Sequence, residues 1–249
     1  MKRSSANKTV FITGGSRGIG RAAVQAFAQA GDRVFFTYRD SAQMAAELTE
    51  QLCGQGWAVC CTRADVGRRE EVDAAVALCA ERLGPVEVLI NNAGVSAFCQ
   101  FQDITDVNWH RMLNVHVDGA FFCTQAVLPD MLHVKQGVIL NVSSAWGITG
   151  GACEVHYSTA KAALIGFTKS LAKELGPSHI RVNCIAPGVI DTDMNDSLNE
   201  SDKHELIAQT PLGRLGSPYE IAQCMRYLCS DASGFITGQV ISPNGGFVI

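Results

Sequence analysis

The chain has no long apolar run, no basic block and no cysteine pair of the C-x-x-C kind. No stretch approaches the ~20 consecutive apolar residues of a membrane-spanning helix, so no membrane role is expected. The formal net charge is −4 and no cluster of Lys and Arg stands out, which gives no footing for nucleic acid or an anionic lipid surface as partner. Ten cysteines are present, but no His joins them at zinc-site spacing. Most lie in apolar segments, where a reduced thiol behaves as a small hydrophobe. Buried thiols in a reducing cytoplasm therefore fit better than a disulfide framework. The N-terminal residues 1–7 are basic but lead into a short strand rather than a signal-peptide core. There is no internal repeat, low-complexity tract or linker. No paired-carboxylate site, metal box or Ser-His-Asp order is seen, and no metal is expected.

What is present is alternation. At 249 residues, with 47% hydrophobic and 18% charged residues, the chain is an ordinary globular protein with room for one substantial core. Short β-branched and aromatic runs predict strands at 9–13, 34–38, 57–61, 86–90, 138–142, 180–186 and 239–242. Between them lie apolar-periodic segments that predict helices at 22–30, 42–52, 70–83, 107–117, 120–133 and 219–230. A long helix carries the stripe Ala160, Leu164, Phe167, Leu171, Leu175 and stops at Gly176-Pro177. Strands alternating with helices imply a parallel sheet covered on both faces. Residues 188–216 read as a polar, irregular insertion with a short helix near 204–208.

Two motifs carry chemistry. The first strand breaks into Gly14-Gly15-Ser16-Arg17-Gly18-Ile19-Gly20 and a helix follows. A glycine turn between a strand and a helix lets the backbone approach a diphosphate, and the helix N-terminus supplies free N–H donors to it. The spacing is G-x-x-x-G-x-G. The second motif is Tyr157-Ser158-Thr159-Ala160-Lys161. Residues four apart share one helix face, so a phenol and an ammonium lie side by side. An adjacent positive charge lowers a phenol's pKa from its usual value near 10, which predicts a group able to move a proton near neutral pH.

Together with Asn91-Asn92-Ala93-Gly94, with Asn114 in Asn114-Val115-His116-Val117-Asp118-Gly119, with Ser144 thirteen residues before Tyr157, and with Pro187-Gly188-Val189-Ile190-Asp191-Thr192, these stretches resemble the classical short-chain dehydrogenase/reductase family. The resemblance spans nearly the whole chain. It implies a single-domain α/β protein, 1–249, with a Rossmann-type doubly wound parallel sheet and a substrate lid at 188–216. It implies that Tyr157 supplies the proton, that Lys161 lowers its pKa and binds the nicotinamide ribose, that Ser144 holds the substrate oxygen, and that Asn114 orders a water relaying protons to Lys161. Ser143 is the alternative hydroxyl. The implied cofactor-binding residues are Gly14, Ser16, Arg17, Gly18, Ile19, Gly20, Tyr38, Arg39, Asp65, Val66, Asn92, Ala93, Gly94, Tyr157, Lys161, Pro187, Gly188, Ile190 and Thr192. His116 and His156 are read as pocket-lining or surface residues, and Glu154 and Asp191 as exposed loop carboxylates.

In this fold an acid after the second strand selects NAD, and a basic residue there accepts the extra phosphate of NADP. The position that is acidic in NAD-using relatives is Tyr38, followed by Arg39, with Arg17 as a second phosphate candidate and Asp40 read as exposed. NADP(H) is the expected cofactor. Within the family the chain looks most like 3-oxoacyl-[acyl-carrier-protein] reductases, which act in fatty acid biosynthesis. The partner implied is thus a small-molecule or acyl-thioester carbonyl substrate. The rival reductases are the elongation factor P 5-aminopentanone reductase and hydroxysteroid or other alcohol dehydrogenases. A non-catalytic NADP-binding regulatory protein is the rival of another class. Trp146, Phe98 and Phe101 are expected as an apolar pocket wall or as core, and Arg111, Lys135 and Arg214 as possible cations at its mouth. The family implies a cytoplasmic homotetramer.

Overall fold

A computed structural model describes residues 7–195 and 199–249. Most of the basic N-terminal stretch and three residues of the expected lid lie outside the described residues. The apolar runs form strands β1 (Thr9–Ile12), β2 (Arg33–Tyr38), β3 (Val59–Arg63), β4 (Val88–Asn91), β5 (Gly137–Val142), β6 (Ile180–Ile185) and β7 (Val240–Ile241). The periodic segments form helices α1 (Gly18–Gln29), α2 (Ala42–Gly54), α3 (Arg69–Leu83), α4 (Asp106–Leu113), α5 (Gly119–Val134), α6 (Trp146–Thr149), α7 (Val155–Leu175), α8 (Glu200–Gln209) and α9 (Pro218–Cys229).

Among the described residues the strands make one sheet in the order β3-β2-β1-β4-β5-β6-β7, every pair parallel. Parallel neighbours need crossovers, and the helices that supply them cover both faces. Successive side chains of a strand therefore enter opposite layers. Val10 and Ile12 join Val34, Phe36, Ile90 and Leu140 in the layer under α1 and α9. Phe11 joins Phe35, Leu89, Ile139 and Val182 in the layer under α3, α5 and α7. There Phe11 and Phe35 stack at 5.5 Å across neighbouring strands.

Several boundaries differ from the sequence expectation, each for a hydrogen-bonding reason. β3 starts at Val59 rather than at Trp57, because Gly56 and Trp57 donate back to the Cys53 and Leu52 carbonyls and close the end of α2. β4 starts at Val88, where its ladder with Val10 begins. The two helices expected at 107–117 and 120–133 are joined through one π turn, Asn114–Asp118, whose following Gly119 N–H donates to the Asn114 carbonyl. The short helix near 204–208 is longer, with Asn199 as its cap accepting the Asp202 N–H at 2.9 Å. The bases of the 188–216 segment are tied together, since Asp191 N–H donates to Gly216 and Gly216 N–H to Val189. The helix α6 was not expected.

A buried polar ladder crosses the centre of the sheet toward α7. Asn91 Nδ2 donates to Asn141 Oδ1 at 2.9 Å, and Asn141 Nδ2 donates to Thr168 Oγ1 at 2.9 Å. Both asparagines and Thr168 are buried, and a buried donor left without a partner costs its desolvation. Asn141→Ala removes one partner on each side, leaving Asn91 Nδ2 its longer bond to Thr124 and Thr168 Oγ1 its bond to the Leu164 carbonyl. Its expected cost is about 2 kcal/mol, read as a lower urea midpoint with an unchanged slope.

Candidate active site

The carboxyl ends of the strands open into one cavity of about 410 Å³. It lies where strand order reverses on either side of β1, the switch point at which open parallel sheets receive ligands. Thr13, directly after β1, brackets this edge. Its Oγ1 accepts the backbone N–H of Asn92 at 3.0 Å and of Ala93 at 2.9 Å. Asn92 completes the bracket, since its Nδ2 donates to the Thr13 and Gly14 carbonyls. Gly14 has φ +67°, and a Cβ there would come within 2.9 Å of Ala93 Cα. A Cβ on Gly20 would collide with the Gly14 carbonyl oxygen. These two glycines are therefore required by the backbone itself. At the start of α1 no side chain caps the helix and no acid occupies the first turn, so the N-terminal N–H groups are available to an anion.

At the other end of the cavity stand Tyr157 and Lys161, one turn apart on α7. Lys161 is almost fully buried. Its Nζ donates to the Val142 carbonyl at 2.8 Å and lies 5.5 Å from the centre of the Tyr157 ring. Burial pulls the ammonium down to about 8. The expectation of an acidified phenol is corrected here. Burial pushes Tyr157 up to about 12, the Ser144 hydroxyl pulls it down in part, and the Glu154 carboxylate pushes it up further. The Lys161 ammonium is turned to the Val142 carbonyl at the end of β5, and burial is the largest influence on the phenol.

The two serines after β5 are used differently. Ser143 is buried and its hydroxyl donates to the Lys161 carbonyl at 2.8 Å. Ser144 accepts the Trp146 N–H at 3.2 Å and stands beside the Tyr157 phenol. All the residues expected to bind cofactor line the cavity, as do Ser144, Tyr157 and Lys161. Asn114 does not. Its Nδ2 donates to the Gly67 carbonyl at 3.0 Å and to Asp118 at 3.3 Å, tying the π turn to the loop after β3.

Other expectations shift. Glu154 is not an exposed loop acid: it lines the cavity, half-buried, and burial raises its pKa. Asp191 is exposed. His116 is buried edge-on to the Tyr157 ring at 5.6 Å, with Nε2 2.8 Å from the Val95 carbonyl. Burial holds it well below the usual imidazole range. His156 is buried as well. Trp146 lines the cavity, but Phe98 and Phe101 are 79% and 68% exposed and line neither it nor the core. Phe247, unforeseen, packs edge-on to Trp146 at 5.2 Å and joins the wall. Contact between chain segments a hundred residues apart leaves no local pattern. Of the three cations considered for the mouth, Arg214 pairs with Glu220 at 2.7 Å and Lys135 ends α5. Among the described residues no group of three or more His, Cys, Asp or Glu could hold a metal, and no helix is long and apolar enough to cross a membrane.

Comparison with known proteins agrees with this geometry. The family described as Enoyl-(Acyl carrier protein) reductase matches residues 14–248. A 3-oxoacyl-[acyl-carrier-protein] reductase from Chlamydia trachomatis is 39% identical over 242 residues, covering 96% of this chain and 97% of the relative. A (2S)-[(R)-hydroxy(phenyl)methyl]succinyl-CoA dehydrogenase subunit from Thauera aromatica is also 39% identical, covering 96% of each. Among solved structures, that of gox2181 superposes with a TM-score of 0.93 at 35% identity, over 97% of this chain and 96% of the other. A short-chain dehydrogenase/reductase from Serratia marcescens gives 0.92 at 34%, over 98% of both. The chain belongs to the short-chain dehydrogenase/reductase family, and is an oxidoreductase acting on carbonyl or hydroxyl groups.

The buried lysine makes a stability prediction. Its pKa is lowered from 10.5 to about 8, so between those values this lysine holds more protons in the unfolded chain than in the folded one, and its contribution to stability rises with pH across that window. Lys161→Met removes both the cost of the buried charge and that rise. The variant is expected to be more stable than the parent at pH 7, by up to about 3 kcal/mol, and the gap between the two is expected to close as pH rises from 8 to 10.5. Urea unfolding at several pH values checks it.

Proposed function

We propose that the protein is an NADPH-dependent carbonyl reductase, converting a ketone to a secondary alcohol, and that its substrate is a 3-oxoacyl thioester on acyl carrier protein. The observation that carries this reading is a single cavity with a helix N-terminus flanked by Arg17 and Arg39 at one end and Ser144, Tyr157 and Lys161 at the other. The residues fit the cofactor: N–H donors and guanidiniums suit its phosphates, and Lys161 offers a donor to ribose hydroxyls.

Bound NADPH supplies a hydride to the carbonyl carbon. Ser144 donates a hydrogen bond to the carbonyl oxygen as negative charge develops on it. Tyr157 then transfers its phenolic proton to that oxygen. A phenol held near 12 is fully protonated at neutral pH, the form that a proton donor to a far more basic alkoxide requires. Lys161, whose Nζ lies 5.5 Å from the centre of the Tyr157 ring, returns a proton to the phenolate and is itself reprotonated from solvent. Asn114 spends its amide on Gly67 and Asp118 and does not line the cavity, so its part in this reading is to hold the π turn that sets His116 against the Tyr157 ring. Helix α8 and the tied segment that carries it form the lid over substrate. The assembly is a homotetramer with α7 and the C-terminal residues 236–247 at its contacts, a reading that a monomer on light scattering would overturn.

A second reading has one specific support. The Thauera aromatica relative, named for dehydrogenation of a CoA-linked alcohol, is as similar as the acyl-carrier-protein reductase. 3-oxoacyl-[acyl-carrier-protein] reductases recur among the similar relatives, which places the first reading ahead.

The test follows NADPH oxidation with acetoacetyl thioesters on acyl carrier protein and on coenzyme A, beside steroids and small ketones. The highest kcat/KM is expected with the carrier-protein thioester. Tyr157→Phe should lower kcat by about 10²–10⁴ with NADPH affinity retained. Tight NADPH binding without turnover of any carbonyl would move the protein to a regulatory role.

A further inference from the structure

A second cavity, of about 360 Å³, adjoins the first and shares Arg17 and Arg39 with it. Its far wall is α4, which contributes Asn108 and Arg111. Three guanidiniums from three separate elements thus face one space. Arg39 is engaged by Asp40, with Nε at 2.7 Å and Nη2 at 2.6 Å from the same carboxylate oxygen. Among the described residues the guanidiniums of Arg17 and Arg111 make no hydrogen bond or ion pair. Arg111 lies close enough for its charge to act on Asp40: that carboxyl is held below the usual range first by Arg39, and also by Arg63 and Arg111.

We infer that Arg111 is a third phosphate-binding arginine, which with Arg17 and Arg39 forms a phosphomonoester subsite that selects the 2′-phosphorylated cofactor. The inference rests on the NADPH reading above and extends it to a helix outside the glycine turn and the β2 edge. Charge is the argument. Arg39 is offset by Asp40 and also feels Asp65, while Arg17 and Arg111 line the second cavity beside it with no carboxylate among its lining residues, and a phosphate monoester carries about −1.5 to −2 near neutral pH. A ribose diol without phosphate offers those groups nothing to neutralise. The guanidinium forks also match phosphate oxygens in geometry. Position at the end of α4 favours any cation through the helix dipole, but that does not account for two unpaired guanidiniums turned to the same cavity.

The test is a fluorescence titration of the full chain with NADPH and with NADH, for the parent, Arg111→Gln and Arg111→Lys, with 2′,5′-ADP and ADP as competitors. Arg111→Gln is expected to weaken NADPH and 2′,5′-ADP about tenfold while NADH and ADP move less than about twofold. Arg111→Lys should recover most of the loss, and added salt should weaken NADPH more in the parent than in the Gln variant. A parent that prefers NADPH beside a Gln variant that prefers it equally would overturn the role of Arg111 and leave the NADPH reading intact. Equal losses for both cofactors would overturn it as well. A parent that binds NADPH and NADH alike would overturn the NADPH reading and this inference with it.

Discussion

An ammonium held inside the protein is the constraint on which the rest of the site depends. Lys161 sits on the buried face of α7 with its Nζ on the Val142 carbonyl, where burial works against its charge. Such a group is not retained for stability, since an apolar side chain of similar size would cost less there. It stays because α7 is locked against the ends of β5 and β6 by independent contacts. Ser143 donates to the Lys161 backbone, and Asn141 reaches Thr168 about two turns further along. The helix is thereby fixed in rotation, and Tyr157 is delivered to the same cavity wall.

The parallel sheet determines where that wall can be. Because every strand runs the same way, all the strand ends emerge at one edge, and the loops that follow them meet there. Thr13 and Asn92 bind two of those loops to each other through four hydrogen bonds. The N-terminus of α1 and the Tyr157 face of α7 belong to opposite halves of the chain, yet they border one cavity. Electrostatics then differs along its length. One end is lined by guanidiniums and backbone N–H groups. The other is a buried end where desolvation pushes the Tyr157 phenol up and lowers the neighbouring His116 imidazole. A dinucleotide with an anionic adenosine end and a reactive ring fits that polarity.

Much of this was legible in the chain itself. The period-2 and period-3.6 patterns placed the strands and helices because they reflect burial on one side of a local element, and their alternation implied the parallel sheet. Where boundaries slipped, as at Trp57 or in the π turn at Asn114, hydrogen bonds to other segments decided them. The glycine turn and the Tyr-Lys spacing were readable because each is a local geometric requirement: a backbone that must turn tightly, and two side chains four residues apart on one helix face.

What the sequence by itself determined was therefore the set of elements, their order and the short-range motifs at their ends. Only the tertiary structure decided which of two adjacent serines stands beside the phenol, that Glu154 and Phe247 join the wall, that Phe98 and Phe101 do not, and that Arg111 on α4 lines one cavity with Arg17 and Arg39. It also reversed the direction of the Tyr157 shift. The physical reason is common to all of these. Desolvation and charge–charge coupling depend on which distant segments close around a group, and that is a property of the packed core and of no single stretch of chain.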